Sequence, residues 1–219
     1  SSFVGLAAVP IIHGMTLGEI ALMANGEGWL EDDIRADLTV LKCGNYSHST
    51  HYSIPIAPSP NLPSDESVSL YPSLCFLEPT NMSIGRGTTT PFELVGFPNN
   101  SEGVYEFTPV SAPGASPHPK HEDIICNGEN LHGLGQDWIE SGAGWDLNIL
   151  FNYADKFRND NGDLKGFFTS ESFFDKLAGT DELRLALETD GDLQELEKVW
   201  AEEIAKFKID RAPYLLYPL

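Results

Sequence analysis

Positive charge is scarce in this sequence, which has 13 Lys and Arg against 33 Asp and Glu in 219 residues, a formal net charge of −20. A chain this acidic repels nucleic-acid phosphates and anionic lipid headgroups, and no local basic patch offsets that repulsion. The sequence also lacks an apolar run of about 18 residues, the length that a membrane-spanning helix needs. We therefore expect neither a nucleic-acid partner nor insertion into a membrane.

Cysteine and the common cofactor motifs are equally sparse. Cys43, Cys75 and Cys126 lie far apart, so at most one disulfide could form within the chain. His48 and His51 have the spacing of a metal pair, but no third ligand stands at a telling distance. Phosphate-binding glycine loops and a nucleophilic serine elbow are missing too. These absences predict a protein without a metal or a cofactor.

The start of the chain, SSFVG, has no initiator Met, no basic segment and no cleavage site of a signal peptide. We expect from this that the sequence begins part-way through a longer protein.

Local patterns predict an α+β fold, with mixed or antiparallel strands in the first two thirds and helices segregated towards the C-terminus. Thr16 and Glu19 have capping-box spacing, so a helix should begin there. No clean linker interrupts the chain, which favours one main domain. Strands are predicted at 38–41, 74–77, 92–97, 105–109 and 123–126, and helices at 65–71, 146–157, 170–177, 181–187 and 193–207.

Arg86 is the only Lys or Arg between Lys42 and Lys120. It stands in the segment Gly85-Arg86-Gly87-Thr88, where glycines allow a backbone to approach a ligand closely. A guanidinium suits a carboxylate held by two hydrogen bonds, so Arg86 is a candidate reader of an anionic substrate. The alternative is that it neutralises a nearby carboxylate, Glu78 or Glu93.

Glu78 follows an apolar run and precedes Pro79. A carboxylate at the end of a buried segment can act as a general acid or accept hydrogen bonds from sugar hydroxyls. It can equally be a structural carboxylate paired with Arg86. Catalysis by Glu78 is therefore an open alternative at this point.

Three further polar residues are candidate ligand contacts. Ser59 and Asn61 alternate with prolines at 58, 60 and 63, which hold the backbone extended and could present both side chains to a sugar. The same segment could be only a rigid connection. His13 precedes the Thr16 helix, whose positive end favours a neutral imidazole; it could bind substrate, or serve as a capping or surface residue.

Several strings, taken in order, resemble one family. They are residues 13–19 (HGMTLGE), 58–63 (PSPNLP), 71–75 (YPSLC), 78–81 (EPTN), 85–88 (GRGT), 91–92 (PF), 173–180 (FFDKLAGT), Arg211 and 214–218 (YLLYP). The set is similar to the exo-β-N-acetylmuramidases of bacterial cell-wall recycling, long catalogued as a domain of unknown function. The resemblance extends over essentially the whole chain.

The resemblance implies a two-part enzyme, with a Rossmann-like N-terminal domain, a C-terminal α+β domain and a cleft between them. Residues 1–12 would be the tail of the N-terminal domain, with Phe3-Val4-Gly5 in its last segment, and residues 13–219 would form the C-terminal domain. The principal catalytic carboxylate is then expected on the N-terminal domain, which is the partner of this chain. Apolar surface that meets this partner is expected around residues 3–12.

The family reaction releases terminal N-acetylmuramic acid from the non-reducing end of peptidoglycan fragments. The resemblance implies that Arg86 reads the lactyl carboxylate of that sugar, while Asn61 and Asn81 contact its hydroxyl or acetamido groups. Glu78, Thr88, Ser59 and His13 would face the same cleft. A peptidoglycan substrate implies a periplasmic or secreted protein. The alternative function is a non-catalytic carbohydrate-binding or scaffolding module.

Overall fold

The structure is a computed structural model that describes Val4, Gly5, Ala7 and residues 9–219. Two compact units divide the chain. The first comprises residues up to Tyr52 together with Gln194–Leu219, and the second comprises Ser53–Leu193. Phe3, Leu6 and Ala8, which belong to the predicted N-terminal tail, lie outside the described residues. The predicted domain boundary at residue 12 stays a prediction.

The elements confirm the α+β class. The helices are α1 (Leu17–Glu27), α2 (Asp65–Leu74), α3 (His132–Ser141), α4 (Asn148–Asn161), α5 (Glu171–Ala178), α6 (Glu182–Glu188) and α7 (Leu193–Arg211). The strands are β1 (Leu94–Phe97), β2 (Tyr105–Phe107) and β3 (Cys126–Asn130). Three short 3-10 helices cover Glu31–Asp33, Cys75–Leu77 and Ala212–Tyr214. Five of the seven helices follow the last strand, although α1 and α2 precede the sheet. None of the helices in the described ranges is long and apolar enough to cross a membrane.

The first unit is organised around the buried carboxylate of Glu19. Thr16 caps α1 in the predicted capping box, and its N–H donates to Glu19 at 2.7 Å. The N–H of Leu216 and the ring of His48 also contact this carboxylate, at 2.6 and 3.0 Å. Burial alone would raise the pKa of Glu19, but these hydrogen bonds outweigh it and lower the pKa to about 2.

The C-terminal residues of the chain are held against α1 and the segment that follows it. Arg211 donates to the carbonyl of Gly14 at 2.8 Å, and the hydroxyl of Tyr214 donates to Glu27 at 2.6 Å. The hydroxyl of Tyr217 accepts the N–H of Cys43 at 3.0 Å. Residues at opposite ends of the sequence therefore form one unit through polar contacts.

The second unit contains a three-stranded antiparallel sheet in the order β1-β3-β2. All four residues of β1 are buried, and Tyr153 of α4 donates from its hydroxyl to the carbonyl of Val95 at 3.0 Å. Aromatic rings fill much of the core beside it. Among the fully buried side chains are Phe76, Phe92, Phe167, Phe174, Leu70, Leu74, Leu77, Met82 and Leu150.

Two predicted strands are wrong, and the strand predicted at 123–126 shares only Cys126 with β3. Residues 38–41 form no strand, and Leu41 is 89% exposed, so this apolar run has neither a pairing neighbour nor a buried face. Residues 74–77 are helical, because Leu70, Leu74 and Leu77 are spaced for one buried helical face. A short apolar run fits both periods, and only its packing decides between them.

Helix α3 was not predicted. Its sequence contains Gly133 and Gly135, which weaken helix propensity, and its N-cap residue Leu131 makes no side-chain capping hydrogen bond. The six helices that were predicted are confirmed, with ends shifted by a few residues.

Glu19→Gln should destabilise the first unit at neutral pH by roughly 2–3 kcal/mol, because a carboxylate with a pKa near 2 stabilises the folded state by that order. This stabilisation is present above the unfolded-state pKa of about 4.5 and is lost as the pH falls towards 2. Denaturation curves at pH 7, 4 and 2 measure the difference, which should shrink on acidification. Glu203→Gln, on the exposed face of α7, is the matched control. A difference that stays constant with pH would contradict the role of Glu19.

Candidate functional site

The candidate site lies in the second unit, on the loop that runs from Glu78 to Thr88. Helix α2 continues into the 3-10 helix Cys75–Leu77, which ends where Glu78 begins the loop. Leu77 and Met82 are fully buried and anchor the first half of the loop in the core. Glu78 thus follows a helical turn rather than the predicted strand, but it still emerges from a buried apolar segment.

Lys120 holds this loop in place through hydrogen bonds to its backbone carbonyls. Its ammonium group donates to the carbonyls of Glu78 at 3.0 Å and Met82 at 2.9 Å, to that of Thr80, and at 3.5 Å to that of Leu77. An ammonium has three N–H donors, so contact with four carbonyls satisfies it fully and fixes the turn. Sequence reasoning missed Lys120. Its only signal was being the next fixed cation after Arg86.

Arg86 pairs with Glu78, as the structural alternative expected. The guanidinium Nη1 lies 3.5 Å from Glu78 Oε2, and the two side chains keep 36% and 28% of their exposure. Glu93, the other proposed partner, instead contacts His132 and Ser64. A single contact at 3.5 Å is longer than a strong charge-assisted hydrogen bond, so most of the guanidinium fork is left for another acceptor.

Burial dominates the electrostatics of this cluster. It raises the pKa of Glu78, while Arg86 and Lys120 oppose that rise. It lowers the pKa of Lys120 to about 8, against the attraction of Glu78. Burial, followed by the charge of Glu78, raises the pKa of the Cys75 thiol to about 12, so Cys75 stays protonated and is a poor nucleophile.

Tyr71 is the aromatic residue of this cluster. Its ring packs on Phe92 at a centroid distance of 5.1 Å, and 40% of the residue is exposed. Burial raises the pKa of its hydroxyl, electrostatic interactions with Cys75 and Glu78 add to that rise, and Arg86 opposes it. A neutral, half-exposed phenol beside Glu78 can donate a hydrogen bond or pack against a sugar ring.

The glycines beside Arg86 are required by the loop itself. Gly85 and Gly87 have φ of 75° and 83°, in the left-handed region. A Cβ on Gly87 would stand 2.5 Å from the carbonyl oxygen of Val110 and 2.7 Å from Pro119. The predicted reason, that glycine lets a ligand approach, is therefore not needed; close backbone packing explains both residues.

The other predicted contacts on this loop have local roles. Thr88 donates from its hydroxyl to the carbonyl of Gly85 at 2.7 Å. The backbone of Asn81 donates to Phe167 at 2.6 Å and accepts from the ring of His121 at 2.7 Å. Burial, first, and the charge of Lys120 lower the pKa of His121, although this hydrogen bond opposes them. Thr88 and Asn81 are thus held in place by the turn that also carries Arg86.

Ser59 and Asn61 belong to the same unit but are held by other contacts. The N–H of Asn61 donates to Ser59 Oγ at 3.2 Å, and Asn61 Nδ2 donates to the carbonyl of Ala115 at 2.9 Å. The side-chain amide oxygen of Asn61, Oδ1, is buried and has no hydrogen-bond partner among the described residues.

His13 belongs to the first unit. Its Nδ1 accepts the N–H of Met15 at 3.1 Å, and its carbonyl accepts from Arg211. Burial and then the charge of Arg211 lower the pKa of His13, which keeps the ring neutral. The imidazole of His13 is therefore neutral, as expected, and the causes are its burial and the charge of Arg211.

Two cavities open on the second unit. One of about 560 Å³ is lined by residues of α2 and α3, including Glu66 and Glu140, together with Ile54. Another of about 470 Å³ is lined by Gly87 to Thr90, by Tyr105 and Phe107 of β2, and by Val110. Gly87 and Thr88, which follow Arg86 in the chain, line the second cavity, but Arg86 and Glu78 line neither of the two.

One group of side chains could hold a metal ion. Glu66, Glu93 and His132 each offer a ligand atom, and these atoms lie within 4.8 Å of one another. The two ring nitrogens of His132 face different carboxylates, Nδ1 towards Glu93 at 2.6 Å and Nε2 towards Glu66 at 3.9 Å. An imidazolium between two carboxylates explains this arrangement without an ion.

Comparison with known sequences assigns the family. The family model described as the C-terminal domain of the exo-β-N-acetylmuramidase NamZ matches residues 69–217, and the model of its N-terminal domain matches residues 1–66. The chain belongs to the exo-β-N-acetylmuramidase NamZ family. The peptidoglycan β-N-acetylmuramidase NamZ of Bacillus subtilis (strain 168) is 34% identical over 99% of this chain. The chain spans about half of that relative, 53% of its length.

Two crystal structures of DUF1343 family proteins from Bacteroides fragilis NCTC 9343 are similar to this chain. The one at 1.30 Å resolution has 43% identity and a TM-score of 0.89, over all of this chain and 60% of its own. The one at 1.65 Å resolution has 21% identity and a TM-score of 0.78, over 99% of this chain and 59% of its own. The second supports the fold alone.

Gly87→Ala should destabilise the second unit by roughly 1–3 kcal/mol, because alanine must adopt a left-handed φ while its Cβ meets the Val110 carbonyl. Gly114→Ala is the matched control, since Gly114 has a φ of 84° but open space around it. Urea unfolding compares the two variants. Equal losses would show that close packing at Gly87 contributes nothing.

His132 should make the second unit less stable as the pH rises. Its hydrogen bond to Glu93 raises the pKa of His132, so the stabilisation is complete below the unfolded-state pKa of about 6.5 and is lost as the pH rises through the folded-state value. Thermal unfolding between pH 6 and 9 should show this loss in the wild type and its absence in His132→Gln. His118→Gln, a change at a 91% exposed side chain, should leave the pH dependence intact.

Proposed function

We propose that this chain is the C-terminal part of an exo-acting β-N-acetylmuramidase that releases terminal N-acetylmuramic acid from peptidoglycan fragments. In this proposal the chain forms one wall of the substrate cleft. A Rossmann-like N-terminal domain of the same enzyme forms the other wall and carries the principal catalytic carboxylate. Membership of the NamZ family supports the reaction, and the loop from Glu78 to Thr88 supports the role in recognition.

The observation that carries the proposal is the accessible, incompletely paired guanidinium of Arg86. N-acetylmuramic acid differs from N-acetylglucosamine by a lactyl ether that ends in a carboxylate. Arg86 makes one contact of 3.5 Å to Glu78 and keeps 36% of its side-chain exposure, so its remaining donors can hold that carboxylate. In a chain with a net charge of −20, a focused cation of this kind is what makes an anionic sugar acceptable.

Glu78 is proposed to orient Arg86 and to accept a hydrogen bond from a sugar hydroxyl. Its raised pKa would also allow Glu78 to donate a proton. A role as general acid is the second, weaker alternative for this residue. Asn81 and Thr88 stand on the same loop, and we propose that they contact hydroxyl or acetamido groups. Asn61 and Ser59 are proposed as further contacts, and His13 as another through its neutral imidazole.

The partner domain is supported by apolar surface on the first unit. Leu17 and Leu41 are 90% and 89% exposed, and Ile11 and Ile12 are about half exposed. Isolated exposed apolar residues are ordinary, but several in one small unit indicate a surface that another body covers. A peptidoglycan substrate would place the full-length enzyme in the periplasm or outside the cell.

Arg86→Ala in the full-length enzyme should reduce selectivity for the muramic acid glycoside over the glucosamine glycoside about 10- to 100-fold, since a hydrogen bond to a charged group contributes roughly 1.5–3 kcal/mol. The ratio of kcat/KM on the two aryl glycosides measures this, and the rate on the glucosamine glycoside should change little. Arg86→Lys keeps the charge but loses the planar guanidinium. Its selectivity should lie between that of the wild type and that of Arg86→Ala.

An unchanged ratio in Arg86→Ala would contradict the proposed role of Arg86. Binding of N-acetylmuramic acid by a full-length protein that hydrolyses neither glycoside would instead favour the carbohydrate-binding module.

A further inference from the structure

A second cation, Lys120, lies close to Glu78. Arg86 contacts the Glu78 carboxylate at 3.5 Å, and its side chain is 36% exposed, enough to bind a ligand as well. The Lys120 ammonium group contacts the backbone carbonyl of Glu78 at 3.0 Å rather than the carboxylate, and the carbonyls of Leu77, Thr80 and Met82 also hold it in place. The charge of each cation opposes the rise in the pKa of Glu78 that burial causes.

Binding of an anion to Arg86 creates an electrostatic problem at Glu78. A ligand carboxylate that takes the guanidinium must either leave Glu78 unpaired or form a like-charge pair with it. Removal of the only partner of a partly buried carboxylate is strongly unfavourable, and the group then takes up a proton. A site that reads an anion with Arg86 therefore needs another positive charge at Glu78.

We propose that Lys120 is a positioning residue that serves as the second counter-ion of Glu78, so that Arg86 can exchange Glu78 for the carboxylate of the substrate. This inference rests on the proposed function, because it takes Arg86 to be the reader of a sugar acid. Lys120 does not touch the ligand; it acts through Glu78 and through the loop carbonyls. The anchoring matters because a cation fixed by four carbonyls cannot follow the ligand or leave the loop.

The replacement of Glu78 by the substrate carboxylate at Arg86 should depend on pH. Since burial lowers the pKa of Lys120 to about 8, its charge is lost in mildly alkaline solution, whereas Arg86 stays charged. The other titratable groups facing this cluster are Tyr71, Cys75 and His121. Tyr71 and Cys75 have raised pKa values, so they stay neutral near pH 8, and the lowered pKa of His121 keeps its ring neutral there.

The first experiment needs no enzymatic activity. Carbon-13 NMR titrations of this chain follow the Glu78 carboxyl and the Cε of Lys120. Lys120→Met should raise the pKa of Glu78 by about one unit or more, and Lys120→Arg should restore it to within a few tenths. Lys165→Met, which removes an exposed lysine elsewhere in the same unit, should have no effect. An unchanged Glu78 pKa in folded Lys120→Met would overturn the inference.

Lys120→Met removes this donor from the carbonyls of Glu78, Thr80 and Met82 and could fail to fold, so a second variant tests the same coupling. Glu78→Gln keeps the shape of the side chain and removes its charge. The pKa of Lys120 should fall by about half a unit or more, because Glu78 raises it in the wild type. An unchanged Lys120 pKa in Glu78→Gln would overturn the inference independently of the methionine variant.

The second experiment uses the full-length enzyme and separates this inference from the proposed function. The ratio of kcat/KM on the muramic acid and glucosamine glycosides should decline above about pH 8 in the wild type, and Lys120→Arg should move that decline to higher pH. A wild-type ratio near one would overturn the proposed function and the exchange with it. Selectivity that depends on Arg86 but shows no decline with pH, or the same decline in Lys120→Arg, would overturn the exchange alone.

Discussion

The contact between the Lys120 ammonium and the carbonyls of residues 77–82 is the interaction on which the candidate site depends. This stretch joins the buried end of α2 to the loop that carries Arg86, and its backbone would otherwise present several carbonyls without donors in a partly buried turn. A single cation satisfies them together. Its own charge is kept in place beside Glu78, so the structural clamp and the electrostatic partner are the same group.

In a chain this acidic, the buried carboxylates need partners that compensate their charge. Glu19, Glu93 and Glu78 are partly or fully buried carboxylates, and each is compensated differently. Glu19 is held by backbone N–H groups and a histidine, Glu93 by a histidine and a serine hydroxyl, and Glu78 by Arg86 together with the nearby charge of Lys120. At Glu78 the Arg86 side chain keeps 36% of its exposure, so an anionic ligand can compete for this guanidinium.

Family membership and local geometry contribute different parts of the functional conclusion. The family models and the Bacillus subtilis relative supply the reaction class, and the loop supplies a reason why one guanidinium is available. The chain spans about half of that relative, so the residues that break the glycosidic bond are proposed to lie on the partner domain. In this proposal, recognition and chemistry are divided between the two walls of one cleft.

The sequence by itself determined what depends on neighbouring residues. The Thr16 capping box, the helices near the C-terminus, the order of the family motifs and the isolation of Arg86 could all be read from it. It could not decide whether residues 74–77 were helix or strand, because a short apolar run fits both periods. Nor could it place Lys120 next to Glu78, because 41 residues lie between them in the chain. Hydrogen bonds to backbone carbonyls also leave no pattern of side chains that a sequence could show. Only the tertiary structure decided those points, because they depend on which distant backbone a buried side chain meets.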